Sequence, residues 1–137
     1  MSLYLPPDLE SFLTGRLRGR ISGIGVGNKE PVKLSTPLDK PQVVIRDDSG
    51  VRTSVATWDR SVGVSILAGS RSNDKPANDL ARLVYAHLSD PAIADAPGSP
   101  IAAILEDGCT GPYAVQDDQD VARRYLTIAY SVTGEQQ

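Results

Sequence analysis

The spacing of hydrophobic residues changes along the chain, and each change marks an element. In residues 61–68, Val62, Val64 and Ile66 alternate with Ser61, Gly63 and Ser65, the period of two that a strand with one buried face requires. After Gly69 the period lengthens. Ala77, Leu80, Ala81, Val84 and Leu88 recur at spacings of 3 and 4, while Lys75, Asn78, Asp79 and Arg82 fall mostly on the other side, which predicts an amphipathic helix. Asn73 or Asp74 is placed to accept an orphan backbone N–H as its N-cap, Pro76 suits a first turn that needs no donor there, and Asp90 and Pro91 end it. The longest alternation comes last. Ala122, Arg124, Leu126, Ile128, Tyr130 and Val132 share one face of a strand, and Arg123, Tyr125, Thr127, Ala129 and Ser131 share the other.

The remaining segments fit around these. Leu9, Phe12, Leu13 and Leu17 form a short helical stripe behind Pro6, Pro7 and Asp8, with Asp8 and Glu10 where the positive end of a helix dipole favours them. This helix, of about three turns, runs out near Gly19. Residues 19–41, with four glycines and three prolines, exceed the usual connection of about 4 to 6 residues. Ile21, Ile24 and Val26 give part of the span strand character, so an extended arm that orders against a neighbour is expected, with plain flexibility as the alternative. Gln42–Arg46, a turn at Asp47-Asp48-Ser49-Gly50, Val51–Trp58 and a reversal at Asp59-Arg60 then lead into the 61–68 strand and predict a three-strand antiparallel meander. Pro91–Pro100 reads as a loop, Ile101–Leu105 as a short strand, and residues 108–120 as a loop with a brief strand at Tyr113–Val115. The expected fold is one α+β domain over residues 1–137: an antiparallel sheet of about five strands packed against two helices, with a long arm at 19–41.

Charge divides the chain. Residues 1–60 hold nine Lys/Arg against seven Asp/Glu, and residues 61–137 hold five against ten, for a net charge of -3. Neither half offers the basic face of a duplex-binding protein, which argues against a nucleic-acid regulator. The lone Cys109 excludes an intramolecular disulfide. No apolar run approaches the roughly 20 residues of a bilayer span, and MSLYLPPDLESF lacks the basic start and apolar core of a signal peptide, so residence in a cytoplasm is expected.

Candidate chemistry is sparse. His87 has no flanking motif that would build a relay with Cys109 or a serine, and one Cys with one His does not fill a zinc site, so no catalytic, metal or cofactor residues are expected. Gly23-Ile24-Gly25-Val26-Gly27-Asn28-Lys29 fails as a phosphate cradle because Glu30 and Pro31 follow instead of Ser or Thr and a helix. Trp58 reads as a core or interface anchor. Arg16, Arg18 and Arg20 suit a partner's acidic surface or a solvated helix end. Glu106, Asp107, Asp117, Asp118 and Asp120 lie in a stretch without Lys or Arg. They form a solvated acidic loop or a surface that repels a passing polyanion; a calcium site is disfavoured by spacing unlike an EF-hand's.

In arrangement the chain resembles the tail terminator proteins of long, non-contractile-tailed bacteriophages, the lambda-like family of small neck proteins. The resemblance lies in the initial helix with its arm, the PQVVIRDDSG hairpin at 41–50, the VSILAGSRSNDKPANDLARLVYAHL strand-helix unit at 64–88 and the closing ARRYLTIAYSVTGE strand at 122–135, and covers nearly the whole length. It implies a virion structural protein without enzymatic activity or cofactor, assembled in the host cytoplasm into a ring, usually of six copies. That ring caps the tail tube, stops its polymerisation and presents the head-joining surface. The implied partners are further copies of the chain, the major tail tube protein and a head-closure or neck protein, with DNA passing through without sequence-specific binding and no membrane involved. Arg16, Arg18, Arg20, Ile21, Ile24 and Val26 are then the expected subunit or partner interface. Glu106, Asp107, Asp117, Asp118 and Asp120 are the expected acidic channel lining. The alternatives are another neck component, a head-closure or tail-completion factor, or a small enzyme or ligand-binding domain.

Overall fold

Two helices, α1 (Leu9–Arg20) and α2 (Lys75–Leu88), pack on one face of a six-stranded sheet in a computed structural model that describes residues 3–31 and 38–137. A separate two-stranded sheet joins β1 (Tyr4–Leu5) to β8 (Glu135–Gln136). The main sheet comprises β2 (Gly25–Gly27), β3 (Gln42–Arg52), β4 (Thr57–Ala68), β5 (Ile101–Ile104), β6 (Thr110–Val115) and β7 (Ala122–Thr133). Its order is β2-β3-β4-β7-β5, with β6 following β5 along the same side of β7. The fold is α+β, and the sheet is mixed where a purely antiparallel one was expected, because β2 runs parallel to β3.

The period-2 reading of the last strand matches its burial. Leu126, Ile128, Tyr130 and Val132 lie in one core with Val62, Val64 and Ile66 of β4, Val43 and Ile45 of β3, Leu9, Leu13 and Leu17 of α1, and Ala81, Val84 and Leu88 of α2. Burying such a side chain stabilises the fold by about 1.5–3 kcal/mol. Asp8 caps α1, its carboxylate accepting the Ser11 N–H at 3.1 Å. Asp74 occupies the N-cap of α2 but makes no side-chain cap bond; its carboxylate accepts from Arg124 instead.

The predicted meander is a hairpin of two long strands. Asp47-Asp48-Ser49-Gly50 does not turn the chain. The segment is a bulge within β3, with Ser49 at φ 79° and the register shifting between Asp47 and Gly50. Asp59 and Arg60 lie in mid-strand, opposite Val51 and Gly50. The reversal is at residues 53–56, where the Arg52 guanidinium donates to the Ser54 and Val55 carbonyls and sits 5.3 Å from the Trp58 ring centroid, while Thr53 and Ser54 hydroxyls meet Thr57 Oγ1. Of the predicted arm at 19–41, residues 21–27 lie on the domain itself: Ile21, Ile24 and Val26 pack against the core and β2 extends the sheet. Residues 32–37 lie outside the described residues.

Candidate functional site

Strand order sorts charge to opposite sides of the molecule. The C-terminal half of α1 lies beside β2: Arg18 donates through Nε and Nη2 to the Val26 carbonyl at 3.2 and 2.7 Å, and Glu10 joins Asn28 Nδ2 at 2.9 Å to the Asp47 N–H at 2.7 Å. Arg16 is half-buried. Arg20, Lys29 and Lys40 are exposed, with no hydrogen-bond or ion-pair partner among the described residues. Arg16, Arg18, Arg20, Lys29 and Lys40 outnumber Glu10, Glu30 and Asp39 there, so the β2 edge is basic by a net two charges.

Four strand spacings from β2, about 19 Å at roughly 4.8 Å each, the β5 edge is acidic, while Asp117 beyond β6 is tied through Arg123 to Glu30, which follows β2. No Lys or Arg occurs between Arg82 and Arg123, an interval that holds Asp90, Asp95, Glu106, Asp107, Asp117, Asp118 and Asp120. The five carboxylates expected to act together are not brought together. Glu106 and Asp107 occupy a 3-10 turn just beyond the Leu105 N–H, which donates to Ala129, whereas Asp117, Asp118 and Asp120 follow Val115, which pairs with Arg123. Six residues of β7 separate these points, roughly 20 Å at ~3.3 Å per residue.

Asp117 belongs to an ionic network, extended by a hydrogen bond to Asp120, that ties four segments together. Arg123 reaches Asp117 Oδ2 from Nε at 2.9 Å and from Nη2 at 2.8 Å, and pairs with Glu30 through Nη2 and, at 3.4 Å, Nη1. The Arg71 N–H donates to Asp120 Oδ1 at 3.0 Å, its guanidinium donates to the Asp117 carbonyl, and Arg124 meets Asp74 at 2.7 Å. Burial alone pushes the Asp117 carboxyl up, but the Gln119 N–H and the Arg123 and Arg71 guanidinia outweigh it and hold the carboxyl below the usual carboxylate range. The Arg124 hydrogen bond and charge hold the Asp74 carboxyl low in the same way. The three arginines, Arg71, Arg123 and Arg124, line a shallow cleft of about 250 Å³ together with Asp74 and Asp117. Their guanidinia are engaged by groups of the chain itself, so the cluster fastens loops and does not present free cations to an anionic ligand.

A second cleft, of about 430 Å³, opens between the β3–β4 hairpin and the 106–108 turn. Val51, Leu105 and Ala129 supply its apolar lining, and Asp59 and Asp107 its carboxylates. Neither carboxylate has a hydrogen-bond or ion-pair partner among the described residues. Arg60 also lines it, but its Nη1 lies 3.7 Å from Asp47 Oδ1. Asp59 escapes a sequence reading because it falls in what reads as a turn, and nothing local marks Glu30 or Arg71 as partners of residues far along the chain.

Between the two clefts the uncovered sheet face is small and polar, floored by Ser61, Gly63, Ser65 and Thr127. Tyr125 spans Gly63 to donate to Asp48 at 3.1 Å, with Tyr113 edge-on 6.0 Å away. Burial first, then the Asp48 carboxylate, raises the Tyr125 pKa. His87 and Cys109 do not meet: Cys109 Sγ faces the Leu105 carbonyl at 3.5 Å. Among the described residues no group of three or more His, Cys, Asp or Glu side chains is placed to hold a metal, and no helix is long and apolar enough to cross a membrane. No family model matches the chain, and no curated protein shows significant similarity to it.

Proposed function

We propose that the chain is a virion structural protein, the tail terminator of a long non-contractile phage tail, acting as a ring that caps the tube, halts its polymerisation and offers the surface that joins the head. The supporting observation is the opposite charge of the two edges of one sheet. A closed ring is built from heterologous contacts, in which one surface of each copy meets a different surface of the next. A domain with a basic edge at β2 and an acidic edge at β5 has two such surfaces, and they attract. The arrangement of helix, hairpin, strand-helix unit and closing strand adds the family resemblance.

In this role the protein works by geometry and performs no turnover. Its partners are further copies of the chain, the tube protein below and the neck protein above, and DNA passes without base-specific contact. A lumen that repels DNA would draw on Glu106, Asp107, Asp118 and Asp120, since Asp117 is paired with Arg123 whereas Asp120 accepts a backbone N–H of Arg71 and keeps its charge.

The test is electron microscopy of lysates from a phage in which this gene is disrupted. Overlong headless tubes beside filled tailless heads are the expected result. Tails of normal length that fail to attach would move the assignment to a head-closure or tail-completion factor, and intact virions would end the assembly reading.

A further inference from the structure

The cleft between the hairpin and the 106–108 turn has the chemistry of a socket for a basic side chain. An arginine or lysine placed in it lays its aliphatic stem on apolar walls and its charged head on carboxylates. Val51, Leu105 and Ala129 provide the walls, and Asp59 and Asp107 provide two carboxylates without partners among the described residues. The chain's own guanidinium at the cleft, that of Arg60, lies 3.7 Å from Asp47, and its buried Nε has no hydrogen-bond partner among the described residues. Asp59 is only partly exposed, so leaving its charge unanswered is costlier than at an open surface.

We infer that the occupant is a second copy of this chain, which inserts the basic end of α1, with Arg20 as the leading side chain, into the Asp59/Asp107 cleft. Charge complementarity selects the occupant. Arg20 ends α1, whose Arg18 bonds to β2 on the opposite edge of the sheet, and it is exposed without a partner among the described residues. Because the donor and acceptor surfaces differ, each copy satisfies one neighbour and is satisfied by the other, and the contact propagates from copy to copy, closing into a ring where the rotation between copies returns to its start. The inference deepens the ring reading and rests on it for the partner's identity. It gives Asp107 to the subunit contact instead of the lumen.

The experiment is sedimentation velocity of the full chain up to about 1 mM protein, the range in which even a weak homotypic contact is populated. It compares wild type, Arg20→Glu, Asp107→Arg and the double variant, at low and high salt. Concentration-dependent association is expected, weakened about tenfold or more by either single reversal, restored by the double, and suppressed by salt as the Debye length falls from about 10 Å at 0.1 M to about 3 Å at 1 M. Circular dichroism checks that each variant folds, and Asp59→Asn, which keeps size and shape, gives a milder second reading of the cleft. A wild-type chain that stays monomeric throughout overturns the inference, as does association that neither single reversal weakens or that the double fails to restore. The terminator reading would survive any of these, because its own test is the length and attachment of tails in the disrupted phage.

Discussion

Removing one oxygen atom tests how α2 is fastened to the sheet. Tyr130, in β7, is completely buried, and its hydroxyl donates to the Leu88 carbonyl in the last turn of α2 at 2.5 Å. That carbonyl has no following helical N–H to serve it: the Ala92 N–H goes to the Asp90 side chain and the Ile93 N–H to the Asp90 carbonyl. In Tyr130→Phe the ring still fills its space, but the Leu88 oxygen is left buried and unsatisfied, at a cost of about 1–3 kcal/mol. With a urea m-value near 2 kcal/mol/M, a loss of ~2 kcal/mol lowers the denaturation midpoint by about 1 M at unchanged m. The difference should also shrink in alkali. Burial first, and Cys109 second, raise the Tyr130 pKa far above that of a free phenol, with Arg16 opposing. The unfolded phenol ionises near pH 10 while the folded one keeps its proton, so the unfolded state binds fewer protons and wild-type stability falls as pH rises past about 10. This group's share of the fall is about 1.4 kcal/mol per pH unit, and the Tyr130→Phe variant has none of it. A midpoint shift worth less than about 0.5 kcal/mol at neutral pH, or a gap unchanged between about pH 9 and pH 11, would refute the account.

Two other perturbations read different parts of the fold. Arg123→Ala removes the guanidinium shared by Glu30 and Asp117, whose side chain is only 15% exposed, and should cost about 1–3 kcal/mol in urea denaturation. The acid limb should change with it. The Asp117 carboxyl is held low in the folded state, so its contribution is present above the unfolded carboxyl value near 4 and is lost as pH falls below it; that acid loss should be smaller in the variant. Gly50→Ala would set a Cβ 1.9 Å from the Asp59 carbonyl oxygen, a backbone atom that cannot swing aside. A cost of about 1–3 kcal/mol in thermal melting is expected, with faster hydrogen exchange confined to the hairpin.

Much of the fold could be read from uninterrupted periodicity. α2 and β7 keep one period for their whole length, and their buried faces are the ones the pattern names. The hairpin defeated the reading because turn chemistry sits inside a strand. Asp47 to Gly50 carry the side chains of a reversal, yet Asp47 accepts the Ser49 N–H, Glu10 takes the Asp47 N–H, and β3 continues through a bulge. The true reversal at 53–56 has no Gly, Pro, Asn or Asp, and depends on Arg52 and hydroxyl groups that bond only once the strands are aligned. Val26 already read as part of a strand, but the pairing of β2 was hidden for another reason: its three residues pair in parallel with a segment whose Gln42 lies 17 positions after Gly25, a contact that no local pattern encodes. The basic and acidic segments could be seen as runs of charge. Their opposition across one sheet follows from strand order, and so does the capture of Asp117 by an arginine that also holds Glu30.

The place of β7 also governs the order in which the molecule can be made. β2, β3 and β4 form one patch of sheet, whereas β5 and β6 pair with β7 and not with each other, so neither joins the sheet until β7 is present. That strand is the last of the six to be synthesised. At about 5–20 residues per second, the β4 edge stands open for about 3–13 seconds, the time taken to synthesise residues 69–133, before residues 122–133 can cover it. The nascent chain is therefore a three-stranded patch with two unpaired segments awaiting a keystone, and a stall or cut upstream of Ala122 leaves an open β4 edge and a core without Leu126, Ile128, Tyr130 and Val132.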